Sequence, residues 1–328
     1  MSHILKGLVA SLGALAAVAF APAALAQDYP TQPITVVVPF SAGGPTDTVA
    51  RLVAQVMSKD LGQQVLVQNV GGAGGTLGAG QVANAKPDGY TLLLHHIGMS
   101  TAPTLYRNLA FDPLKAFAPI GLITAVPMTI VARKDFEPAD AKTLLTYLKE
   151  KGADTTYAHA GIGSASHLCG MLLQEAAGVQ MITVPYQGAA PAMTDIIGGQ
   201  VDLLCDQTTN TTNQIKAGEV KAYAVTTPTR VASLPDLPTT KEVGLDKLDI
   251  GVWHGLYAPA GTDPAIVAKL EASLQKALVD ETVKSRFAEL GTAPVTASEA
   301  TPAALTAELT SQIELWRPII QAAGTYAD

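Results

Sequence analysis

The sequence predicts an α/β protein of two lobes, each a mainly parallel sheet flanked by helices, joined by two chain crossings. Apolar runs typical of strands alternate with helical stripes along most of the 328 residues, the pattern of parallel sheets covered by helices. About 300 residues remain after a leader, more than one hydrophobic core usually serves. The alternation breaks around residues 124–127 and 251–255. These breaks assign residues 27–124 with 250–328 to lobe 1, and residues 125–249 to lobe 2.

The first 26 residues have the pattern of a secretory signal peptide. Lys6 stands near the start, small apolar residues cover 8–24, and Ala24-Leu25-Ala26 forms a cleavage motif before Gln27. The apolar run is short of the roughly 20 residues that a membrane span needs, which disfavours a lone membrane anchor. We therefore expect a soluble, exported protein that is cleaved after Ala26.

Charge and cysteine content exclude two classes of protein. The net charge of −7 and the lack of a basic cluster exclude nucleic acid as a partner. The sequence has two cysteines, Cys169 and Cys205, which are too few for a disulfide scaffold. Export permits a bridge between them, but two buried free thiols fit the sequence equally well.

The first pair of elements is a strand and a helix joined by a glycine-rich loop. β-branched residues at 35–38 indicate a strand buried on both faces. The loop at 41–44 lacks bulky side chains, so its backbone amides can come close to a ligand. Thr46 or Asp47 is the predicted N-cap, and Pro45 fits the turn just before the helix. The helix has an apolar stripe facing the core, formed by Val49, Leu52, Val53, Val56 and Met57. A helix N-terminus behind such a loop is a ready anion site.

The later elements repeat this unit of strand, loop and helix. Strands are predicted over residues 65–69, 90–94, 155–159, 182–186, 201–205, 220–226 and 252–257, with extended chain broken by Pro127 over 120–133. Helices are predicted up to Ala85, from Asp140 through Leu148, over 166–177, around 192–197, after Asn210 and through most of the C-terminal part. This alternation of strands and helices predicts helices packed over both sheets.

Segments rich in small and polar residues follow the predicted strands. They cover residues 40–47, 95–101, 160–167, 186–188 and 205–209. In open α/β sheets, ligands bind outside the carboxyl ends of the strands, so two facing sheets would place these segments on opposite walls of one cleft. None of the segments contains arginine. We therefore expect an anion to be held by amides, hydroxyls, helix N-termini and ordered water.

Several motifs resemble those of the Bug, or tripartite tricarboxylate transporter, substrate-binding proteins. They lie at residues 29–47, 86–92, 163–168, 185–192, 198–202 and 234–239, in consistent order over the mature chain. The sequence departs from the family pattern at 95–98, where His-His-Ile-Gly replaces a Ser- or Asn-rich segment, and at Cys205, where relatives often carry Phe.

The resemblance implies a type II periplasmic binding protein that closes on a small carboxylate and delivers it to a membrane permease. The ligand would be a dicarboxylate or an acidic amino acid, since the sequence is most similar to the aspartate-binding type. The loop at 42–47 would hold a ligand carboxylate partly through two waters. We expect a monomer without catalysis, cofactor or metal.

The predicted ligand-binding residues come from both walls of the cleft. On one wall they are Phe40, Ala42, Gly43, Gly44, Thr46, Asp47, His96, Gly98, Ser100 and Thr101. On the other wall they are Ala160, Gly161, Gly163, Ser164, His167, Tyr186, Gly188, Asp206 and Thr208.

Two other patterns suggest enzyme chemistry. Residues 78–83 match the G-x-G-x-x-A of dinucleotide folds, but no acidic residue closes a second strand at the required distance, so close helix–strand packing is favoured. Ser164, Ser166 and His167 suggest a hydrolase, but no G-x-S-x-G elbow accompanies them. An exported α/β hydrolase or oxidoreductase is therefore the second hypothesis, behind a binding protein.

Histidine and aspartate near the loops leave alternatives open. His95 and His96 are adjacent at a strand end and point to opposite faces, so they cannot easily share a metal ion; we expect one of them, His96, to face the cleft. Asp47 either bonds its own helix turn, the favoured interpretation, or meets the amino group of an amino-acid ligand.

Overall fold

The computed structural model describes residues 29–324 and 326–327. The predicted signal peptide lies outside the described residues. The strands are β1 (Ile34–Val38), β2 (Val65–Asn69), β3 (Thr91–His96), β4 (Phe117–Arg133), β5 (Thr156–His159), β6 (Ile182–Pro185), β7 (Leu203–Gln207), β8 (Val220–Val225) and β9 (Gly251–Pro259). The helices are α1 (Pro45–Leu61), α2 (Thr76–Ala83), α3 (Gly98–Leu105), α4 (Ala141–Lys151), α5 (Ala165–Ala177), α6 (Ala189–Ile197), α7 (Thr208–Lys216), α8 (Pro264–Val279), α9 (Glu281–Glu289) and α10 (Pro302–Ala323).

The long strand β4 belongs to two sheets. Its residues 117–127 pair antiparallel with β9, which continues through β3 and β1 to the edge strand β2. Its residues 128–133 pair antiparallel with β7 and β8, and β7 continues through β5 to the edge strand β6. The strands β2, β1 and β3 are parallel, as are β6, β5 and β7.

Each sheet is the centre of one lobe. The first lobe contains β1–β3, β9, residues 117–127 of β4, and helices α1–α3 and α8–α10. The second lobe contains residues 128–133 of β4, β5–β8 and helices α4–α7. The predicted two-lobed α/β class is confirmed, and each sheet is mixed because β4 runs antiparallel to its neighbours in both.

Pro127 does not break the strand over 120–133. It pairs with Gly251 as the last residue of β4 bonded to β9, and Met128 begins the pairing with β7. A proline cannot donate a ladder hydrogen bond and is tolerated where pairing ends. The prolyl residue thus marks the point where the chain leaves one sheet for the other.

Helix α1 begins earlier than the sequence indicated. Gly44 is the N-cap and Pro45 is the first helical residue, a position that suits proline because its missing N–H would have no helical partner there. The prediction of Thr46 or Asp47 as N-cap is therefore wrong. Residues 98–105 are also helical, as α3, where the sequence indicated a polar loop up to residue 101.

The cysteine pair joins two elements of the second lobe. The sulfur atoms of Cys169 on α5 and Cys205 on β7 are bonded, with their Cα atoms 6.0 Å apart and the residues 36 positions apart in sequence. Both residues are fully buried in the main core cluster. The bridge fixes helix α5 against the strand that carries Asp206.

Within residues 29–324, no helix combines the length and the apolar character needed to cross a bilayer.

Candidate functional site

A small cavity of about 10 Å³ lies between the lobes at the carboxyl ends of the strands, a volume that holds about one water molecule. Predicted residues that line it are Phe40, Thr46, His96, Ala160, Ser164 and Asp206. The lining residues that were not among the predicted ligand-binding residues are Pro45, Ala165, Ser166, Ala189 and Gln207. The two walls predicted from the strand-end loops therefore do meet at one cavity.

Four helices direct their N-terminal ends at this cavity. Pro45 and Thr46 open α1, Ser164 is the N-cap of α5, Ala189 opens α6 and Gln207 is the N-cap of α7. Each helix N-terminus carries a partial positive charge and unpaired backbone N–H groups. No lysine or arginine lines the cavity among the described residues. The site is therefore electropositive through its backbone, which suits a small anion.

Asp47 is engaged within its own lobe. One of its oxygens, Oδ2, accepts from the Gly43 N–H at 2.9 Å and from Arg51 Nε at 2.8 Å, and Oδ1 accepts from Asn69 Nδ2 at 2.9 Å. Burial raises the pKa of Asp47, but these hydrogen bonds outweigh burial and hold the pKa below its usual value. The carboxylate therefore bonds the loop in front of its own helix, which was the favoured interpretation of Asp47. The helix cap itself is Gly44.

The outer part of the glycine-rich loop faces away from the cavity. Ala42 and Gly43 are exposed and line an open surface groove together with Arg51 and Arg286. Gly44 is buried, and its Cα faces the start of α6. Of the predicted residues in and beside this loop, Phe40 and Thr46 therefore line the cavity.

Three histidines and Phe40 pack ring against ring beside the cavity. The Phe40 and His96 rings stack with centroids 4.5 Å apart, and His96 meets His95 and His254 edge-on at 5.0 and 5.8 Å. Burial lowers the pKa of His95 and of His254 to about 3, and that of His96 well below its ordinary value. These rings are neutral at pH 7, so they add polar atoms but no charge to the wall.

Hydrogen bonds assign the proton on each of two rings. The Gly98 N–H donates to His96 Nδ1 at 3.0 Å, which leaves the proton of the neutral ring on Nε2. His254 Nδ1 lies 3.1 Å from the Val252 carbonyl oxygen and donates to it, so its Nε2 accepts from the Thr46 hydroxyl at 3.4 Å. His96 therefore offers an N–H donor on the first wall.

Acid is expected to destabilise the protein through these buried rings. Burial places the pKa of His95, His167 and His254 near 3 in the folded state, whereas each ring in the unfolded chain titrates near pH 6.5. The unfolded chain therefore binds more protons as pH falls through 6.5, and each ring costs about 2 kcal/mol of unfolding free energy between pH 7 and pH 5. Asp206 acts in the opposite direction, because burial raises its pKa to about 7. The folded state therefore takes up a proton there between pH 7 and pH 5, which adds about 2 kcal/mol to the unfolding free energy.

The expected net loss from these three rings and Asp206 is therefore about 4 kcal/mol at pH 5. Urea unfolding at pH 5, 7, 8 and 9 measures it, with pH 8 against pH 9 as the control interval, in which these groups gain few protons. An unfolding free energy at pH 5 equal to that at pH 7 would contradict the assignment of neutral buried histidines.

Several predicted residues hold the lobes together rather than line the cavity. The Thr101 hydroxyl donates to the Gly163 carbonyl oxygen at 3.2 Å, and the Tyr106 hydroxyl donates to that of Ile162 at 2.8 Å. The Ser41 N–H donates to the Gln187 carbonyl oxygen at 3.3 Å. On the far side, the Thr208 hydroxyl donates to the Gly291 carbonyl oxygen at 3.2 Å. The closed arrangement is thus stabilised by direct contacts on both flanks of the cavity.

The remaining predicted residues surround the cavity at a greater distance. The Ser100 hydroxyl donates to the Ile97 carbonyl oxygen within α3, and His167 Nδ1 accepts from the Gly163 N–H at 3.3 Å. The Tyr186 hydroxyl donates to Asp195 on α6 at 2.6 Å, so its ring packs on that helix. Gly98, Gly161 and Gly188 make the close approaches between or beside the lobes.

The patterns that suggested enzyme chemistry have structural roles. A Cβ on Gly78 would lie 2.7 Å from the Val70 carbonyl oxygen and 2.8 Å from Pro39 Cβ, so this glycine permits α2 to pack closely on the sheet. The Ser166 hydroxyl accepts from the Ala160 N–H at 2.9 Å, and the Ser164 hydroxyl accepts from the His167 N–H at 3.3 Å. The two serines therefore shape the loop and cap α5.

Comparisons with known proteins agree over nearly the whole described chain. A family model described as the tripartite tricarboxylate transporter family receptor matches residues 49–325. A protein of Agrobacterium vitis, named "UPF0065 protein in the TAR-I ttuE-ttuC′ intergenic region", is 56% identical over 302 residues, covering 92% of this chain and 87% of that protein. The structure of the periplasmic binding protein BugD is similar at 52% identity and a TM-score of 0.90, covering 92% of this chain and 100% of that chain. MatC from Rhodopseudomonas palustris with bound malate is similar at 40% identity and a TM-score of 0.86, covering 89% of this chain and 100% of that chain.

Proposed function

This chain belongs to the tripartite tricarboxylate transporter receptor family, and on that premise we propose that it captures a small carboxylate between its lobes and delivers it to a membrane permease. It has the fold of the periplasmic binding proteins, and its family consists of receptors that bind a solute without transforming it. The ligand we propose is a dicarboxylate or an acidic amino acid such as aspartate.

The convergence of four helix N-termini on one cavity is the observation that carries this proposal. The ends of α1, α5, α6 and α7 supply N–H groups and partial positive charge from both lobes. A carboxylate there would be held by backbone amides and by the side-chain donor of His96. The malate bound to the related MatC supports a carboxylate ligand.

Ligand entry requires the lobes to separate. A cavity of about 10 Å³ is much smaller than a four-carbon dicarboxylate, so the walls must move apart around it. Our proposed boundaries assign residues 27–124 with 250–328 to one lobe and 125–249 to the other, and the pairing switch in β4 between Pro127 and Met128 lies three residues after the first of these boundaries. We propose bending there and along the return path into β9. A ligand that binds both walls then favours the closed state by its higher affinity for that state.

We also propose export of this chain as a monomer after cleavage behind Ala26. The motif Ala24-Leu25-Ala26 and the description of the related BugD as a periplasmic binding protein support export to the periplasm. Mass determination of the N-terminal peptide from cells would test the cleavage site.

Ligand binding is tested on the purified receptor. Native mass spectrometry should detect a carboxylate carried through purification, and calorimetry with a panel of C4–C6 dicarboxylates and acidic amino acids should give one ligand per chain. Ligand at 100 times its Kd should add about 2.7 kcal/mol to the unfolding free energy and raise Tm by roughly 5 °C. Turnover of a panel member would instead support the hydrolase or oxidoreductase hypothesis, and a panel without any binding would overturn the proposal.

A further inference from the structure

One corner of the cavity is lined by hydrogen-bond acceptors, in contrast to the donors of the helix N-termini. Asp206 and Gln207 end strand β7 at the cavity, and each is 2% exposed. Asp206 Oδ2 accepts from Asn210 Nδ2 at 2.7 Å. Gln207 Oε1 is buried and has no hydrogen-bond partner among the described residues. A buried acceptor without a partner is costly, so this corner calls for a donor from outside the chain.

The carboxyl group of Asp206 differs in its surroundings from those of Asp47, which is buried, and Asp202, which is half-buried. Asp47 is bonded to Arg51 and Asp202 is bonded to Arg133, each at 2.8 Å. Asp206 has only the neutral amide of Asn210 as its side-chain partner. Burial raises the pKa of Asp206 to about 7, because a carboxylate without a cation is unfavourable away from water. A cation is therefore the complement that this corner lacks.

We propose that Asp206, assisted by Gln207 Oε1, binds the ammonium group of an amine-bearing carboxylate, whose carboxylate group is held by the helix N-termini. This inference rests on the proposed function and narrows its ligand class to amino acids. An ammonium group supplies both the donors and the charge that the corner needs. A ligand hydroxyl supplies a donor only, and hydrogen bonds between charged partners are the stronger ones.

Matched ligand pairs test the inference. Calorimetry compares L-aspartate with succinate and L-glutamate with glutarate, which differ only in the amine, and includes L-malate to test a hydroxyl at the same carbon. We expect the amino acid of at least one pair to bind tenfold or more tightly than its amine-free partner and than malate. If succinate binds as tightly as L-aspartate and glutarate as tightly as L-glutamate, the proposed ammonium site is wrong. The proposed function as a carboxylate receptor would still stand. Failure of every ligand to bind would instead reject the proposed function, and with it this inference.

Substitution of Asp206 separates this role from general packing. Asp206→Asn keeps the shape and removes the charge, and we expect the preference for the amino acid to fall below about threefold. Asp195→Asn is the matched control, since Asp195 lies in the same lobe on α6 and bonds Tyr186 outside the cavity; its preference should equal that of the wild type. Unchanged preference in Asp206→Asn, with a melting transition showing a folded protein, would overturn the proposal.

Proton release gives a second measurement on the unmodified protein. The groups around Asp206 are Asn210 on α7, Tyr157 on β5 and His96 across the cavity; burial keeps the tyrosine and the histidine neutral at pH 7. An ammonium ligand ionises Asp206, so binding at pH 7 should release about half a proton per ligand. Calorimetry in phosphate and in Tris measures this release. Equal release by the amino acid and its amine-free partner would contradict the inference, even if Asp206→Asn does not fold.

Discussion

Gly188→Ala is expected to weaken ligand binding by at least tenfold while the protein remains folded. Gly188 precedes α6 with φ 167°, an extended conformation that alanine adopts without strain. A Cβ there would lie 2.0 Å from Ser41 Oγ and 2.6 Å from the Ser41 backbone nitrogen. Ser41 belongs to the first lobe, so the clash arises only when the lobes close. The substitution should therefore act on closure rather than on the stability of either lobe.

Two measurements check this expectation. Calorimetry with the tightest ligand of the wild type gives the loss of affinity, and small-angle scattering with saturating ligand should show a larger radius of gyration than in the wild type. Gly80→Ala serves as the control, since Gly80 lies on α2 and the nearest atom to its Cβ would be Phe111 Cδ1 at 3.8 Å. Wild-type affinity in Gly188→Ala would mean that the closed arrangement is not the one that binds ligand.

Removal of the Cys169–Cys205 bridge is expected to cost about 4 kcal/mol of unfolding free energy. The two residues are 36 apart in sequence, and closing a loop of that length in the unfolded chain corresponds to about 4 kcal/mol. The double substitution Cys169→Ala with Cys205→Ala should therefore lower Tm by roughly 8 °C or more. Alanine is chosen because both side chains are fully buried, where a hydroxyl would need a partner.

Urea unfolding with and without reductant measures the contribution of the bridge. Reductant should lower the midpoint of the wild type and leave that of the double variant unchanged. If thiol titration shows a reduced wild type with an unaltered midpoint, the bridge does not stabilise the fold. Because Asp206 follows Cys205 directly, loss of the bridge should also weaken binding at the cavity.

Strand and helix periodicity predicted most of the fold, since alternating apolar runs depend on local sequence. The start of α1 was misplaced because Thr46 and Asp47 are good caps in isolation, whereas Pro45 at the first helical position fixes the boundary. The antiparallel course of β4 could not be read from a strand of 17 residues, because direction depends on distant partners. Such pairing is decided by tertiary contacts rather than by propensity.

The site was predicted to the level of its loops but not of its atoms. Strand-end segments do converge, yet the hydroxyls of Tyr186 and Thr208 are bonded to Asp195 and Gly291, which only the packed structure shows. Ala189 and Gln207 were missed, although both stand at helix N-termini in front of the cavity. The position at a helix start was the signal that could have found them.

The shared strand β4 imposes a strict limit on chain length between the lobes. Side chains alternate between the two faces of a strand, so a single residue inserted at Pro127 would turn Met128 and Ile130, both fully buried, towards the opposite face. The return path between β8 and β9, residues 226–250, lies largely outside the ladders and can absorb insertions at little cost. Natural or engineered variation in length should therefore be confined to one of the two connections, with the other kept at a constant residue count.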